Sequence, residues 1–171
     1  MEYYNVIKVS DVESTNSYAL YLKERKLFKQ GLVIVSDFQK NGKGQRGNAW
    51  ESKKGKNLII SVVIEPRILI GRQFDLTKIA SLSLIDCLLS LGVQAKIKWP
   101  NDILVGNKKI AGILIQNIIT GDIISHSVIG IGLNINQQIF YDYIPKATSL
   151  SLEMNQFFFV EEIQEILLNK L

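Results

Sequence analysis

Apolar and polar positions alternate with two periods along this chain. Tyr4 to Val9 alternates loosely and predicts a strand; Ser14 or Thr15 then caps a helix to about Phe28, with Ala19, Leu22 and Leu27 as its apolar positions. Leu32 to Val35 and Leu58 to Ile64 are short apolar runs that predict two further strands, the second ending at Glu65-Pro66. Asp75 or Thr77 opens the clearest helix, which carries Ile79, Leu82, Ile85, Leu88 and Leu89 at helical spacing until Gly92 stops it. Ala95 to Trp99, Ile103 to Val105, Lys109 to Ile118 and Ile123 to Leu133 predict strands in a meander, with turns at Pro100-Asn101-Asp102, Gly106-Asn107 and Thr120-Gly121-Asp122. Val160 to Leu171 predicts a last amphipathic helix. Strands outnumber helices and often follow one another directly, so the pattern predicts an α+β domain with a mixed sheet.

The stretch between the second and third strands changes this picture. QKNGKGQRGNAW, Gln39 to Trp50, contains G-x-G-x-x-G at Gly42, Gly44 and Gly47. From Phe38 to Asn57 there are six basic residues against one acid, a local +5 in a chain whose net charge is +4. Glycines let backbone N–H groups approach a phosphate or carboxylate, so charge and glycine together favour anion binding over a merely solvated loop. A dinucleotide-binding loop would have to open a helix, and NAWESKKGKN is too short and too polar to supply one. A kinase loop would need its H-R-D and D-F-G companions and a Walker loop its Gly-Lys-Ser/Thr; all are missing.

Composition narrows the chemistry further. No apolar run is long enough to span a membrane and the N-terminus lacks a signal-peptide pattern, so a cytoplasmic protein is expected. Cys87 stands alone in an apolar helical run and reads as a core thiol. His126 is also alone, which excludes a His/Cys zinc cluster and reads as structural or exposed. A nucleic-acid binder would interleave its basic groove with stacking aromatics, and the loop offers only Phe38 and Trp50.

Three later segments are odd for a plain core. KWPNDILV (Lys98 to Val105) sets a polar Asn101-Asp102 pair after Trp-Pro. KKIAGILIQ begins with lysine and has Gly112 inside a strand, where glycine weakens the ladder unless something comes close. IGIGLNIN leaves Gly130 and Gly132 bare on one strand face, so that either a core ring or a ligand packs there. Together with ESTN at Glu13 to Asn16 and GKGQRGNAW, these segments resemble, in order and over nearly the whole chain, the motifs of the biotin–protein ligases.

That resemblance implies a class II synthetase-like biotin/lipoate ligase fold, a mixed and largely antiparallel sheet with helices packed on one face. It implies an enzyme that makes biotinyl-5′-AMP from biotin and ATP, with Mg²⁺, and passes biotin to a lysine of a biotin carboxyl carrier protein. The acceptor would be that of acetyl-CoA carboxylase, with pyruvate carboxylase as an alternative. Ser14, Thr15, Asn16, Gln39, Gly42, Lys43 and Gly112 would then lie on biotin. Gly44, Gln45, Arg46, Gly47, Trp50, Lys98, Asn101, Asp102 and Asn134 would serve ATP, and Asp102 its metal. Lys109, Arg46 and Lys43 would be the catalytic cations.

Adenylation uses the substrate's own carboxylate as nucleophile, which suits a site rich in lysine and glycine and poor in histidine. Two departures sit in the loop: Lys43 and Gln45 replace the family's usual arginines, Lys losing the planar fork and Gln the charge. The expected organisation is a catalytic domain over 1–171, without a preceding DNA-binding helix-turn-helix or the family's small C-terminal β-barrel. A homodimer is common among such proteins. A lipoate or octanoate ligase shares the implied fold but normally carries R-R-x-S-G-G-G and lacks KWPND; a biotin-binding fragment of little activity is the other alternative.

Overall fold

Strands β1 (Asn5–Val12) and β2 (Leu32–Gln39) run parallel, joined by helix α1 (Thr15–Lys23), and every later pairing in the sheet is antiparallel. The computed structural model describes residues 4–25, 27–141 and 145–171, and the side chain of Arg46 lies outside that description. The chain continues through β3 (Leu58–Ile64), the two-residue β4 (Ile68–Leu69), α2 (Gln73–Ser90), β5 (Lys96–Lys98), β6 (Asp102–Val105), β7 (Lys108–Thr120), β8 (Ile123–Leu133), α3 (Leu150–Met154) and α4 (Val160–Leu168). The strand order is β1-β2-β3-β8-β7-β6-β5, with β4 added against β8.

The sheet has two unlike faces, and alternation along the central strands creates them. Leu58, Ile60 and Val62 of β3, with Ile129, Ile131 and Leu133 of β8, join Val33 and Val35 in a core sealed by Ala80, Leu84, Cys87 and Leu88 of α2 and Ile163 and Leu167 of α4. The residues between them point the other way. Leu32, Ile34, Val63 and Val128 meet Ala19 and Leu22 of α1 at one end of that second face. Further along it the side chains shrink to Ser61, Gly112, Gly130 and Gly132, and the sheet is left bare. The expected packing on one face thus describes α2 and α4, while α1 lies across the opposite face.

Several boundaries differ from the sequence expectation for local reasons. Helix α1 stops at Lys23 instead of near Phe28, because the following residues are charged and Leu27 is 51% exposed, with no core to hold it. Strand β2 runs on through polar Ser36 to Gln39, because its ladder to β1 continues as far as Val12↔Gln39. Within α2, Ile79, Leu82 and Leu89 are exposed and the buried stripe is Leu76, Ala80, Leu84, Cys87 and Leu88. The helix is apolar nearly all round, so periodicity did not single out the face that packs.

Candidate active site

The glycines on the bare face are each answered by a side chain. A Cβ on Gly132 would overlap the indole of Trp50, and one on Gly112 would stand 3.2 Å from the same ring. Gly130 gives its space to the amide of Asn16. Gly112 and Gly132 are direct neighbours across β7 and β8. A ring therefore does pack on IGIGLNIN, and it comes from the end of the glycine loop, not from the core. Beside it opens a cavity of about 240 Å³.

One end of the cavity is polar. Thr15 donates to Gln39 Oε1 from both its backbone N (2.7 Å) and its hydroxyl (3.0 Å), tying the start of α1 to the end of β2. Ser61 Oγ lies 2.7 Å from Thr15 Oγ1 and 2.6 Å from Asn16 Oδ1, and its single proton can serve only one of them. Asn16 Nδ2 donates to Leu114 O and Gln116 Oε1. Ser14 occupies the N-cap of α1 but makes no side-chain cap bond, although Ser at that position ordinarily does. Its hydroxyl is not committed to the helix.

The other end is charged. Lys109 Nζ stands 2.6 Å from Asp102 Oδ1 and 5.6 Å from the centre of the Trp50 ring. Its backbone is pinned by two bonds to the segment around Ala147, the N–H donating to Lys146 O at 2.7 Å and the C=O accepting from Thr148 N at 2.8 Å. Lys98 reaches Asp102 more loosely, at 3.8 Å, and is half exposed. Asn101 fastens the β5–β6 turn to β7: its Nδ2 donates to Ile113 O, and Ile113 N donates to its carbonyl. Across the opening, the glycine loop folds on itself through Gly44 N to Asn48 O and Trp50 N to Gly42 O. Two buried side-chain polar atoms among the described residues lack a hydrogen-bond partner, Trp50 Nε1 and Asn134 Oδ1.

This arrangement coincides with a match to the sequence model of the "Biotin/lipoate A/B protein ligase family" over residues 7–134. The chain belongs to that family. It is 36% identical over 126 residues to the bifunctional ligase/repressor BirA of Bacillus spizizenii, a match covering 71% of this chain and 39% of that protein. To the biotin–[acetyl-CoA-carboxylase] ligase of Paracoccus denitrificans it is 35% identical over 126 residues, covering 72% of this chain and 51% of that one. The biotin protein ligase of Aquifex aeolicus in complex with biotin and ATP superposes with a TM-score of 0.80 at 27% identity, over 97% of this chain and 68% of the other. The chain spans about two fifths of the length of the BirA proteins it matches.

Within this ligase-family domain, Ser14, Thr15, Asn16 and Gln39 line the polar end of the cavity, and Asn101, Asp102, Lys109 and Gly112 the charged end. Lys43, Gly44, Gln45 and Trp50 close it from the loop. Gly42, Gly47, Lys98 and Asn134 lie outside the lining; Asn134 is buried behind it, donating to Thr148 O. The assignment of Arg46 falls on a side chain outside the described residues. Sequence reasoning missed Ser61 and Gln116. The one signal for Ser61 was a lone hydroxyl inside LIISVVI.

Among the described residues no group of three or more His, Cys, Asp or Glu could cage a metal. Among the described residues Asp102 is the one carboxylate lining the cavity. That donor set fits Mg²⁺, which is commonly held by one or two carboxylates together with substrate phosphates. Among the described residues no helix is long and apolar enough to cross a membrane.

Proposed function

We propose that this domain activates biotin with ATP to biotinyl-5′-AMP and transfers the biotinyl group to a specific lysine of a biotin carboxyl carrier protein. The observation that carries the reading is the two-ended cavity, with Thr15, Gln39 and the Ser14 hydroxyl at one end and Lys109 at the other. Biotin has that form: a ureido head that donates and accepts hydrogen bonds, an apolar chain and a carboxylate. Lipoate and octanoate have no polar head and would bury the uncommitted Ser14 hydroxyl without a partner, at about 1–3 kcal/mol.

In the first step a carboxylate oxygen attacks the α-phosphorus of ATP and pyrophosphate leaves with the bonding electrons. In the second the acceptor lysine's amine attacks the acyl carbonyl, AMP leaves, and an amide forms. The chain need supply no nucleophile of its own. Its task is to hold two anions together, which repel at 4 Å by roughly 1 kcal/mol in water and about 4 kcal/mol at an effective dielectric of 20. Lys109, held by two backbone bonds and lining the cavity, offsets that repulsion, and Lys43 and Arg46 add charge from the loop. Mg²⁺ would be held by Asp102 and the phosphates and would neutralise phosphate charge. Trp50, which lines the cavity, would pack beside the adenine ring, and Asn134 would support that side from behind the lining. The carrier protein of acetyl-CoA carboxylase is the first acceptor to test and that of pyruvate carboxylase the second. The reading places the reaction in the cytoplasm, and a homodimer is part of it.

ATP–pyrophosphate exchange with biotin, lipoate or octanoate added singly tests this. Exchange with biotin alone is expected. Exchange with lipoate alone would transfer the assignment to a lipoate ligase, and no exchange with any of them would leave a binding fragment.

A further inference from the structure

The glycine loop leaves the cavity at Trp50 and must then be held, yet residues 51–57 contain no helix or strand. One buried side chain gathers them. Gln137, 1% exposed, accepts at Oε1 from Lys53 N (2.9 Å) and from Asn57 Nδ2 (2.8 Å). Its Nε2 donates to Glu51 Oε1 (3.2 Å) and to Ile139 O (3.0 Å). Both lone pairs of the amide oxygen and both N–H donors are therefore used. Asn57, itself buried, extends the clamp by donating to Ser52 Oγ and accepting from Ile135 N. Gln137 lies outside the cavity lining.

We infer that Gln137 is a positioning residue that fixes where the loop ends and so holds Trp50 over Gly112 and Gly132. The loop has two roots. Gln39, bonded to Thr15, is its root on the polar side; Gln137 is its root on the Trp50 side. Loss of the second root leaves the first in place, so the defect falls on Trp50 and on whatever Trp50 contacts. The identity of that contact as nucleotide rests on the function proposed above.

Two measurements separate the inference from that reading. In a Trp99→Phe background Trp50 is the sole tryptophan, and acrylamide quenching reports its accessibility with no substrate present. Gln137→Met is expected to increase quenching of Trp50 in the folded protein, as judged by unchanged circular dichroism. In ATP–pyrophosphate exchange the same substitution is expected to raise KM for ATP roughly tenfold, the scale of a lost hydrogen bond to a carboxylate, with KM for biotin little changed. Gln137→Glu sets a carboxylate against Glu51 and is expected to be at least as harmful; adding Glu51→Gln restores the donor and acceptor between them and is expected to recover most of the ATP KM. Equal quenching in wild type and Gln137→Met overturns the inference, as does a double variant no better than Gln137→Glu. Absence of biotin-dependent exchange in the wild type would instead defeat the function reading and leave the quenching result to judge Gln137.

Discussion

Lys109 Nζ and Asp102 Oδ1 stand 2.6 Å apart across neighbouring strands, at the mouth of a cavity whose other end carries no charge. The pair is mostly shielded, the side chains being 28% and 16% exposed, so the lysine is aimed rather than free to wander in solvent. Lys109→Met keeps the length of the side chain and its packing on Trp50 but removes the charge. It is expected to lower the rate of pyrophosphate exchange by about 10²–10³, the usual cost of deleting one preorganised group that meets developing negative charge. A loss below tenfold in single-turnover adenylate formation would show that Lys109 is not the cation that matters.

Thr15 tests the polar end separately. Thr15→Val preserves shape while removing the hydroxyl that donates to Gln39 Oε1 and accepts from Ser61 Oγ, so that the first loses a donor and the second an acceptor. The expected result is a rise in biotin KM of roughly tenfold, about 1.4 kcal/mol, with ATP KM unchanged. A parallel rise in both constants would mean that the network holds the domain together without reading the substrate's head.

Gly132→Ala places a methyl group where the Trp50 indole lies. The ring must move or the sheet must give, at about 1–3 kcal/mol of stability. Gly71→Ala is the control, since nothing stands within 4 Å of its Cβ position and its φ is not positive. Thermal unfolding should separate the two variants, and tryptophan emission should shift to the red only in Gly132→Ala. The same emission from both would contradict the contact between Trp50 and Gly132.

How these residues were legible follows from what each signal measures. An apolar run marked β3 and turn signals set off β8, while Gly130 and Gly132 marked a bare face, because all of these are properties of neighbouring residues. What covers that face is a contact between Gly132 and Trp50, far apart in the chain, and no local pattern contains it. Ser61 escaped notice for the same reason: a serine among valines and isoleucines looks like a tolerated substitution until Thr15 and Asn16 are seen above it. Gln137 was invisible because an amide in a polar stretch carries no periodic signal. The face of α2 that packs was illegible for the opposite cause, an excess of apolar positions around the whole helix.

Burial pushes the Cys87 thiol up from 9.0 to about 11. The folded protein therefore resists forming the thiolate that alkylating reagents attack, and at pH 8 labelling by iodoacetamide is expected only through unfolding. The linked stability is complete below the unfolded thiol's pKa and is lost as pH rises through about 11, because the unfolded chain releases this proton first. Cys87→Ser should remove that high-pH loss, measured as the change in urea midpoint between pH 8 and pH 11. Rapid stoichiometric labelling of the native protein at pH 8 would show that the thiol is reached without unfolding.

Gln45 lines the cavity from the loop, and the resemblance to the ligases sets it where they often carry an arginine. An amide there can donate two hydrogen bonds but brings no charge to a phosphate or acyl phosphate, whereas guanidinium binds such oxygens through two parallel donors. Retention of the adenylate, if the proposed reaction holds, should therefore be weak in this chain and improvable. Gln45→Arg is expected to slow release of biotinyl-5′-AMP by about tenfold or more, corresponding to the 1.5–3 kcal/mol of a hydrogen bond to a charged group. Lys43→Arg keeps the charge already present and should change release much less. Release is read by trapping the adenylate with hydroxylamine after filtration; an off-rate unchanged by Gln45→Arg would place residue 45 outside contact with the intermediate, and the weight of retention would then fall on Lys109 and Lys43.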